Sequence, residues 1–374
     1  MNHLAMQISS FFYKNRTVYS QTALTWTDTL VMTLNQILSG WNLMNSYVYK
    51  LAAPIMLSAL IAACGGDKEG GPDDWSTSTP EDKGLDSAKL EYAATAMEAI
   101  KTRKCFTVIK DGDLVFDTNY NDRNPNAMYD AFSVTKTMMA TLIGIAETQG
   151  YLSVDNRIDQ WLVKLPAKMN PDATIRDVLG QVAESDPVGT KFSYDSDTVI
   201  DTLGLVLTAA TGSPSEDFAQ TQLIEPLNMQ YTTWETDKDG NLQAGFGVKS
   251  SCRDLSRVGQ LLLDGGTWRG QQILSPDYIH HMTQPAYPEA NSNYGFLTWL
   301  NWSEGTWYLP TGSGEGPMLK GAPENLYTAT GLFGQIIMVV PDKNVVITTM
   351  GTTVELNTMN AVQETWDAAT LFLQ

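Results

Sequence analysis

Histidine is scarce in this 374-residue chain: there are three, and beyond position 44 only His280 and His281, neighbours in sequence. Adjacent helical residues point to different faces, and the chain has no G-x-S-x-G and no H-E-x-x-H. These absences exclude a histidine-based triad and a histidine metal site. Cysteine is equally sparse, with three scattered residues and no ligand cluster, so no metal is expected. Positive charge is also in short supply, with 24 Lys and Arg against 42 Asp and Glu and a net charge of -18. Such a surface repels phosphate backbones, which removes nucleic acid as an expected partner. Glycine pairs such as Gly265-Gly266 lack the context of a phosphate cradle, and no cofactor is expected. No internal repeat occurs, and no low-complexity tract apart from a short tether.

Long apolar runs are missing as well. Residues 51–63 form an uncharged run of 13 positions, preceded by Lys50 and followed by Cys64-Gly65-Gly66. That is too short to span a bilayer and about right for a signal-peptide core. Its end, Ile61-Ala62-Ala63-Cys64, resembles a bacterial lipobox, in which the cysteine is diacylated and becomes the mature N-terminus. The alternative is a buried core helix ending in an ordinary cysteine. Residues 65–83 favour export, since Gly, Pro, Asp, Ser and Thr dominate and leave too little apolar surface to fold. The expectation is a signal peptide over 44–63, then lipidated Cys64 and a flexible tether over 64–83. Translation from Met44 gives a short n-region before the apolar core. Residues 1–43 then read as a misannotated extension, the other reading being an unusual extension of unknown role. Two acyl chains give stable anchoring, so the expected place is the bacterial cell envelope, as an outer-membrane lipoprotein facing periplasm or exterior. Cys105 and Cys252 remain as a pair or as two buried thiols.

The folded body is expected over 84–374. A helix over 87–100 precedes a hairpin in which 106–109 and 114–116 flank Asp111-Gly112, a strong turn signal. Residues 133–150 read as a helix with a broad apolar face and Gly150 as its stop. Helical spacing with Pro or Gly punctuation continues at 175–179, 198–210 and 214–227, so that 151–245 reads as a mostly helical lobe. Helices follow at 251–263 and 276–282. Strand-like runs lie at 294–302, 335–340 and 345–350, the last two joined by the turn Pro341-Asp342-Lys343-Asn344. A helix with Val362, Trp366, Ala369 and Leu373 on one face closes the chain. The pattern predicts an α+β arrangement: an antiparallel sheet from the N- and C-terminal segments, flanked by helices, with the helical lobe inserted.

One pattern carries chemistry. Ser133-Val134-Thr135-Lys136 is an S-x-x-K at the mouth of an apolar helix, but 23 serines and 16 lysines in 374 residues lead one to expect about one such pair by chance. Placement says more: an offset of three puts both side chains on one helical face. A serine at the helix start meets the positive end of the dipole, and a desolvated lysine with a lowered pKa can take its proton. The competing reading is an N-capping serine and a solvated helix charge.

The surrounding motifs occur in order. Phe132-Ser133-Val134-Thr135-Lys136 is followed by Ile143-Gly144-Ile145-Ala146 and Gly150, and then by Gly189-Thr190-Lys191-Phe192-Ser193-Tyr194-Asp195-Ser196 with Leu203-Gly204. Arg253-Asp254-Leu255-Ser256-Arg257 with Gly259-Gln260-Leu261-Leu262 comes next. Gly266-Thr267-Trp268-Arg269-Gly270 with Ile273-Leu274-Ser275, and Gly331-Leu332-Phe333-Gly334-Gln335 with Pro341, complete the series. In these the chain resembles the beta-lactamase-related serine hydrolases: class C beta-lactamases, penicillin-binding D-Ala-D-Ala peptidases, esterases and 6-aminohexanoate-dimer hydrolases of one fold. The resemblance covers nearly all of 84–374 and implies a beta-lactamase/transpeptidase-like architecture.

By that resemblance Ser133 is the nucleophile, Lys136 its base partner and Tyr194 the general acid/base serving the leaving group. Ser196 takes the third place of the Y-x-N element, where lactamases usually carry Asn and the aminohexanoate-dimer hydrolases Ser. The amides of Ser133 and Leu332 would form the oxyanion hole. Ala329, Thr330, Gly331 and Phe333 would line the substrate site, with Ala329 where relatives place the cation of K-T-G. That departure weakens recognition of a substrate carboxylate. A short link between the 173–179 segment and Gly189 implies a more open site. The expected function is a serine hydrolase that forms an acyl-enzyme from a small-molecule or peptide-like ester or amide. The alternatives are a beta-lactamase or D-Ala-D-Ala carboxypeptidase, and an inactive module binding cell wall or peptide. Oligomeric state is left open.

Overall fold

The structure is a computed structural model that describes residues 75–100, 102–121, 124–195, 197–310, 312–351 and 358–373. The proposed leader, Cys64 and the start of the tether lie outside the described residues, as does Ser196. Among the described residues no helix is long and apolar enough to cross a membrane.

In chain order the elements are helix α1 (Ser87–Ala99), strands β1 (Cys105–Lys110), β2 (Asp113–Asn119) and β3 (Tyr129–Asp130), and helices α2 (Val134–Thr148), α3 (Ile175–Leu179), α4 (Thr202–Thr211) and α5 (Ser215–Ala219). Then come β4 (Thr232–Trp234), β5 (Val248–Ser250), α6 (Cys252–Leu263), the short pair β6 (Thr267–Trp268) and β7 (Gln271–Gln272), and α7 (Pro276–Thr283). The chain ends with β8 (Trp299–Leu300), β9 (Thr306–Leu309), β10 (Gly312–Glu315), β11 (Tyr327–Gly331), β12 (Gln335–Val340), β13 (Val345–Met350) and α8 (Thr358–Thr370).

The main sheet has the order β2-β1-β13-β12-β11-β8, so strands from the two ends of the chain meet where β1 pairs antiparallel with β13, Cys105 opposite Met350. β12 and β13 are buried along their whole length, apolar except for Gln335, Thr348 and Thr349, because both faces are covered. On β12, Ile337 and Val339 join the core beneath α2 and α6, whereas Ile336, Met338 and Val340 join a second core with residues of α1 and α8. Successive side chains on a strand point to opposite faces, so one run supplies both cores. Asp111 and Gly112, both at positive φ, make the β1–β2 turn.

Helix α2 is the central element: every residue from Val134 to Ala146 is buried. The inserted segment is less helical than its spacing suggests, with two five-residue helices, one ten-residue helix and a π-helical turn at Gln220–Ile224. The strand expected over 294–302 shrinks to Trp299–Leu300. Leu297 there adopts φ 48° and gives its amide to the Leu179 carbonyl. Asn301 spends its side chain on the Ala322 and Pro323 carbonyls and the Leu319 amide. Loop contacts thus replace a ladder. Cys105 and Cys252, left open by sequence, form a disulfide between β1 and the first turn of α6, with Cα atoms 6.5 Å apart.

Candidate active site

Three segments converge on Ser133. The first is the turn entering α2, where the Ala131 amide donates to the Val248 carbonyl (2.8 Å) and Phe132 sits at φ 46°. Ser133 occupies the N-cap position, yet its side chain makes no capping hydrogen bond. Lys136, one turn on, donates from Nζ to Ser133 Oγ at 3.1 Å and to the Gly245 carbonyl at 2.9 Å. The lysine is 1% exposed, so the solvated-charge reading fails. Burial pulls its pKa down to about 8, against the opposing pull of Asp195, Asp201 and Asp197.

The second segment carries Tyr194. Gln181 holds both of its neighbours: the Gln181 carbonyl accepts from the Ser193 amide at 2.8 Å and Oε1 from the Asp195 amide at 2.5 Å. The buried Asp195 carboxylate accepts from the amides of Asp197, Thr198, Val199 and Ile200, and pairs with Lys168. Tyr194 stacks on Trp299 with centroids 5.7 Å apart, and its ring lies 4.8 Å from Lys136 Nζ. Burial pushes the phenol up to about 12, with the Ser133 side chain acting in the opposite direction. Side chains 58 to 61 positions apart in sequence thus face one another across a few ångströms.

The third segment is the end of β11. A Cβ at Gly331 would fall 2.5 Å from the Ala131 carbonyl oxygen and 3.1 Å from the Ser133 amide nitrogen, so this strand end touches the Ser133 turn. Glycine is the one residue that allows that approach. Leu332 follows with its side chain 54% exposed, and Phe333, at φ 63°, sets its ring edge-on to Phe132 at 5.0 Å. Buried Arg103 donates to the Gly334 carbonyl at 2.6 Å and to Ala361 of α8 at 3.3 Å, tying this turn to the opposite face of the sheet. Ala329 is 4% exposed and belongs to the core on the α2 side, while Thr330 bonds Thr328 at 3.0 Å. The structure therefore brings Ser133, Lys136, Tyr194, Gly331, Leu332 and Phe333 into one neighbourhood, and places Ala329 and Thr330 as buried strand residues beside it.

Gln181, Trp299, Gly245 and Arg103 were not singled out by sequence. Each acts through a contact distant in the chain, and Gly245-Phe246-Gly247 alone offered a local signal. His280 and His281 are exposed on α7, away from this site, and no group of three metal-ligating residues occurs among the described residues.

Comparison with known proteins places this fold. Among solved structures, a Bacillus anthracis protein assigned as a 6-aminohexanoate-dimer hydrolase superposes with a TM-score of 0.60 at 18% identity, covering 74% of this chain and 81% of the other. A class C beta-lactamase from Rhodobacter sphaeroides gives 0.57 at 17% identity, covering 75% and 99%. A hydrolase with promiscuous acyltransferase activity gives 0.58 at 15%, covering 75% and 97%. These likenesses establish the beta-lactamase/transpeptidase fold. The family model for beta-lactamases matches residues 105–372, nearly the whole described body, and the chain belongs to that family of hydrolases.

Proposed function

We propose that this protein is a serine hydrolase that cleaves an ester or amide through an acyl-enzyme on Ser133. The observation that carries the reading is the buried Lys136 Nζ, 3.1 Å from the hydroxyl of an N-cap serine that does not cap its helix. Depressed to about 8 by burial, Lys136 supplies a free amine at mildly alkaline pH that accepts the Ser133 proton as Oγ bonds to the substrate carbonyl carbon. The amides of Ser133 and Leu332 receive the resulting oxyanion. Losing one such donor typically costs ~2.7 to 4 kcal/mol of barrier. Tyr194, raised to about 12 by burial, stays a neutral phenol and protonates the leaving alkoxide or amine as the carbon–heteroatom bond breaks. Water then adds to the acyl group, gives its proton to the same pair and releases the acid with Ser133 restored.

Esters and linear amides suit the site better than beta-lactams or D-Ala-D-Ala peptides. Ala329 places no cation where a substrate carboxylate would sit, and exposed Leu332 and Phe246 (54% and 45%) lie close in sequence to the oxyanion and Lys136 contacts. Ser196, Thr330, Gly331 and Phe333 complete the proposed substrate wall. Lipidation at Cys64 and an envelope location are proposed from sequence alone.

The full-length chain should take a fluorophosphonate probe at Ser133 and turn over p-nitrophenyl acetate or butyrate, or a linear amide dimer, with Ser133→Ala inert to both. Absence of labelling and turnover would sink the enzyme reading. Nitrocefin turnover above ester turnover would restore the lactamase reading. A Cys64→Ala protein that remains membrane-associated would contradict the anchor.

A further inference from the structure

Asp201 is a half-buried carboxylate that the mechanism above does not use. It sits at the N-cap of α4, where an aspartate ordinarily accepts from the amides of its own first turn, yet it makes no capping hydrogen bond. Its Oδ1 instead accepts from the Ala244 amide at 2.7 Å, with the Gly245 amide also in reach. Gly245 is the residue whose carbonyl takes the second hydrogen bond of Lys136 Nζ, at 2.9 Å. The close approach that allows this is built in, because a Cβ at Gly204 of α4 would fall 2.5 Å from the Leu242 carbonyl oxygen. The turn is held at other points: Ser215 Oγ accepts from the Leu242 amide, Trp234 Nε1 donates to the Gln243 carbonyl, and Thr135 Oγ1 accepts from the Val248 amide. Asp201 holds Ala244 and Gly245 through their amides.

Resting on the serine-hydrolase reading, we propose that Asp201 is a positioning residue for the base. Through the Ala244–Gly245 turn it aims the Gly245 carbonyl at Lys136 Nζ, and its charge favours the ammonium form. The hydrogen bond to Gly245 helps hold Nζ against Ser133 Oγ, 3.1 Å away, which is what a base must do before it can take a proton. The charged groups bearing on Lys136 are Asp195, already paired with Lys168, exposed Asp197 and Asp201, and the Tyr194 ring lies 4.8 Å from Nζ. Burial pushes Asp201 up to about 6 against the opposing bonds from Ala244 and Gly245. It is therefore ionised throughout the range, near 8, in which Lys136 gives up its proton.

The test is the second-order rate of fluorophosphonate labelling at Ser133 between about pH 6 and 10, on full-length wild type, Asp201→Asn and Asp201→Ala. Asparagine keeps an oxygen for the Ala244 amide and removes the charge. Its acid limb should shift down by roughly 0.5 to 1 pH unit, with the plateau within about threefold of wild type. Alanine removes both and should show the shifted limb with a plateau roughly tenfold lower or more. Unchanged limbs in both variants overturn the proposal. So does an Asn variant that keeps the wild-type limb while the Ala variant fails to fold by circular dichroism. If wild type is labelled at Ser133 but Lys136→Ala is labelled equally fast, the reading of Lys136 fails, and the role of Asp201 fails with it.

Discussion

Helix α2 and the loop bearing Tyr194 deliver side chains to the same point by opposite means. The helix is apolar and buried on every side, so Ser133 and Lys136 are placed by helical geometry and by the packing of helix residues such as Met138 and Leu142 into a core shared with Tyr278. Among the described residues of 192–201 there is no helix or strand. Tyr194 is placed by a polar clamp, with Gln181 on both neighbouring amides and Asp195 on four amides beyond. Packing tolerates no lost volume but spreads its strength over many weak contacts. A hydrogen-bond clamp concentrates its strength in a few groups, whose loss leaves buried donors unsatisfied. Ser133 and Lys136 are therefore tied to global stability, and Tyr194 to a local network.

The largest effect should come from Lys136→Ala, which removes the proposed base from the packed side. Ester kcat/KM of the folded fraction should fall by roughly 10² to 10⁴, and thermal melting should fall as well, because the truncation empties a fully buried site and strips the Gly245 carbonyl of its Lys136 donor. In the wild type, the free amine grows about tenfold per pH unit below its pKa of about 8. A rate–pH profile should therefore rise to a midpoint near 8, and this limb should vanish in the variant. A flat wild-type profile would leave Lys136 without its role.

Met138→Ala and Gln181→Leu then separate the two modes of support. Met138 is fully buried in the core under α2, and its truncation should cost about 2 to 5 kcal/mol in denaturant unfolding, with kcat of the folded fraction nearly unchanged. Gln181→Leu should cost about 1 to 3 kcal/mol yet lower kcat up to roughly 10²-fold by releasing Tyr194. If the two variants lose stability and rate in the same proportion, the contrast between packed helix and clamped loop is wrong. The smallest effect belongs to Lys168→Ala. Its side chain is 44% exposed in the pair with Asp195, so less than about 1 kcal/mol should be lost. Loss of more would mean that the ion pair, not the four amides, holds the Asp195 turn.

Much of this architecture was legible in the residues. The largely apolar, β-branched runs of β12 and β13, the Asp111-Gly112 and Pro341–Asn344 turns and the face of α8 name their elements because each depends on neighbours a few positions away. Ser133 and Lys136 were legible for the same reason, as an offset of three on a helix. The 294–302 segment misled because its aromatic and β-branched residues suit a strand, whereas Leu297 and Asn301 are committed to distant loops. Trp299 against Tyr194, Arg103 beneath Gly334 and the Cys105–Cys252 bridge left no local trace.

By itself the sequence determined the long helices and the two terminal hairpins, the S-x-x-K spacing and the residues available for chemistry, since propensity, periodicity and turn geometry are short-range. Tertiary structure decided the state of those residues. Desolvation lowers Lys136 and raises Tyr194, a carbonyl 109 positions away orients the amine, and Gly331 brings a strand end against the Ser133 amide. Burial and through-space contact depend on what the whole chain packs around a group, and no local pattern of residues encodes that.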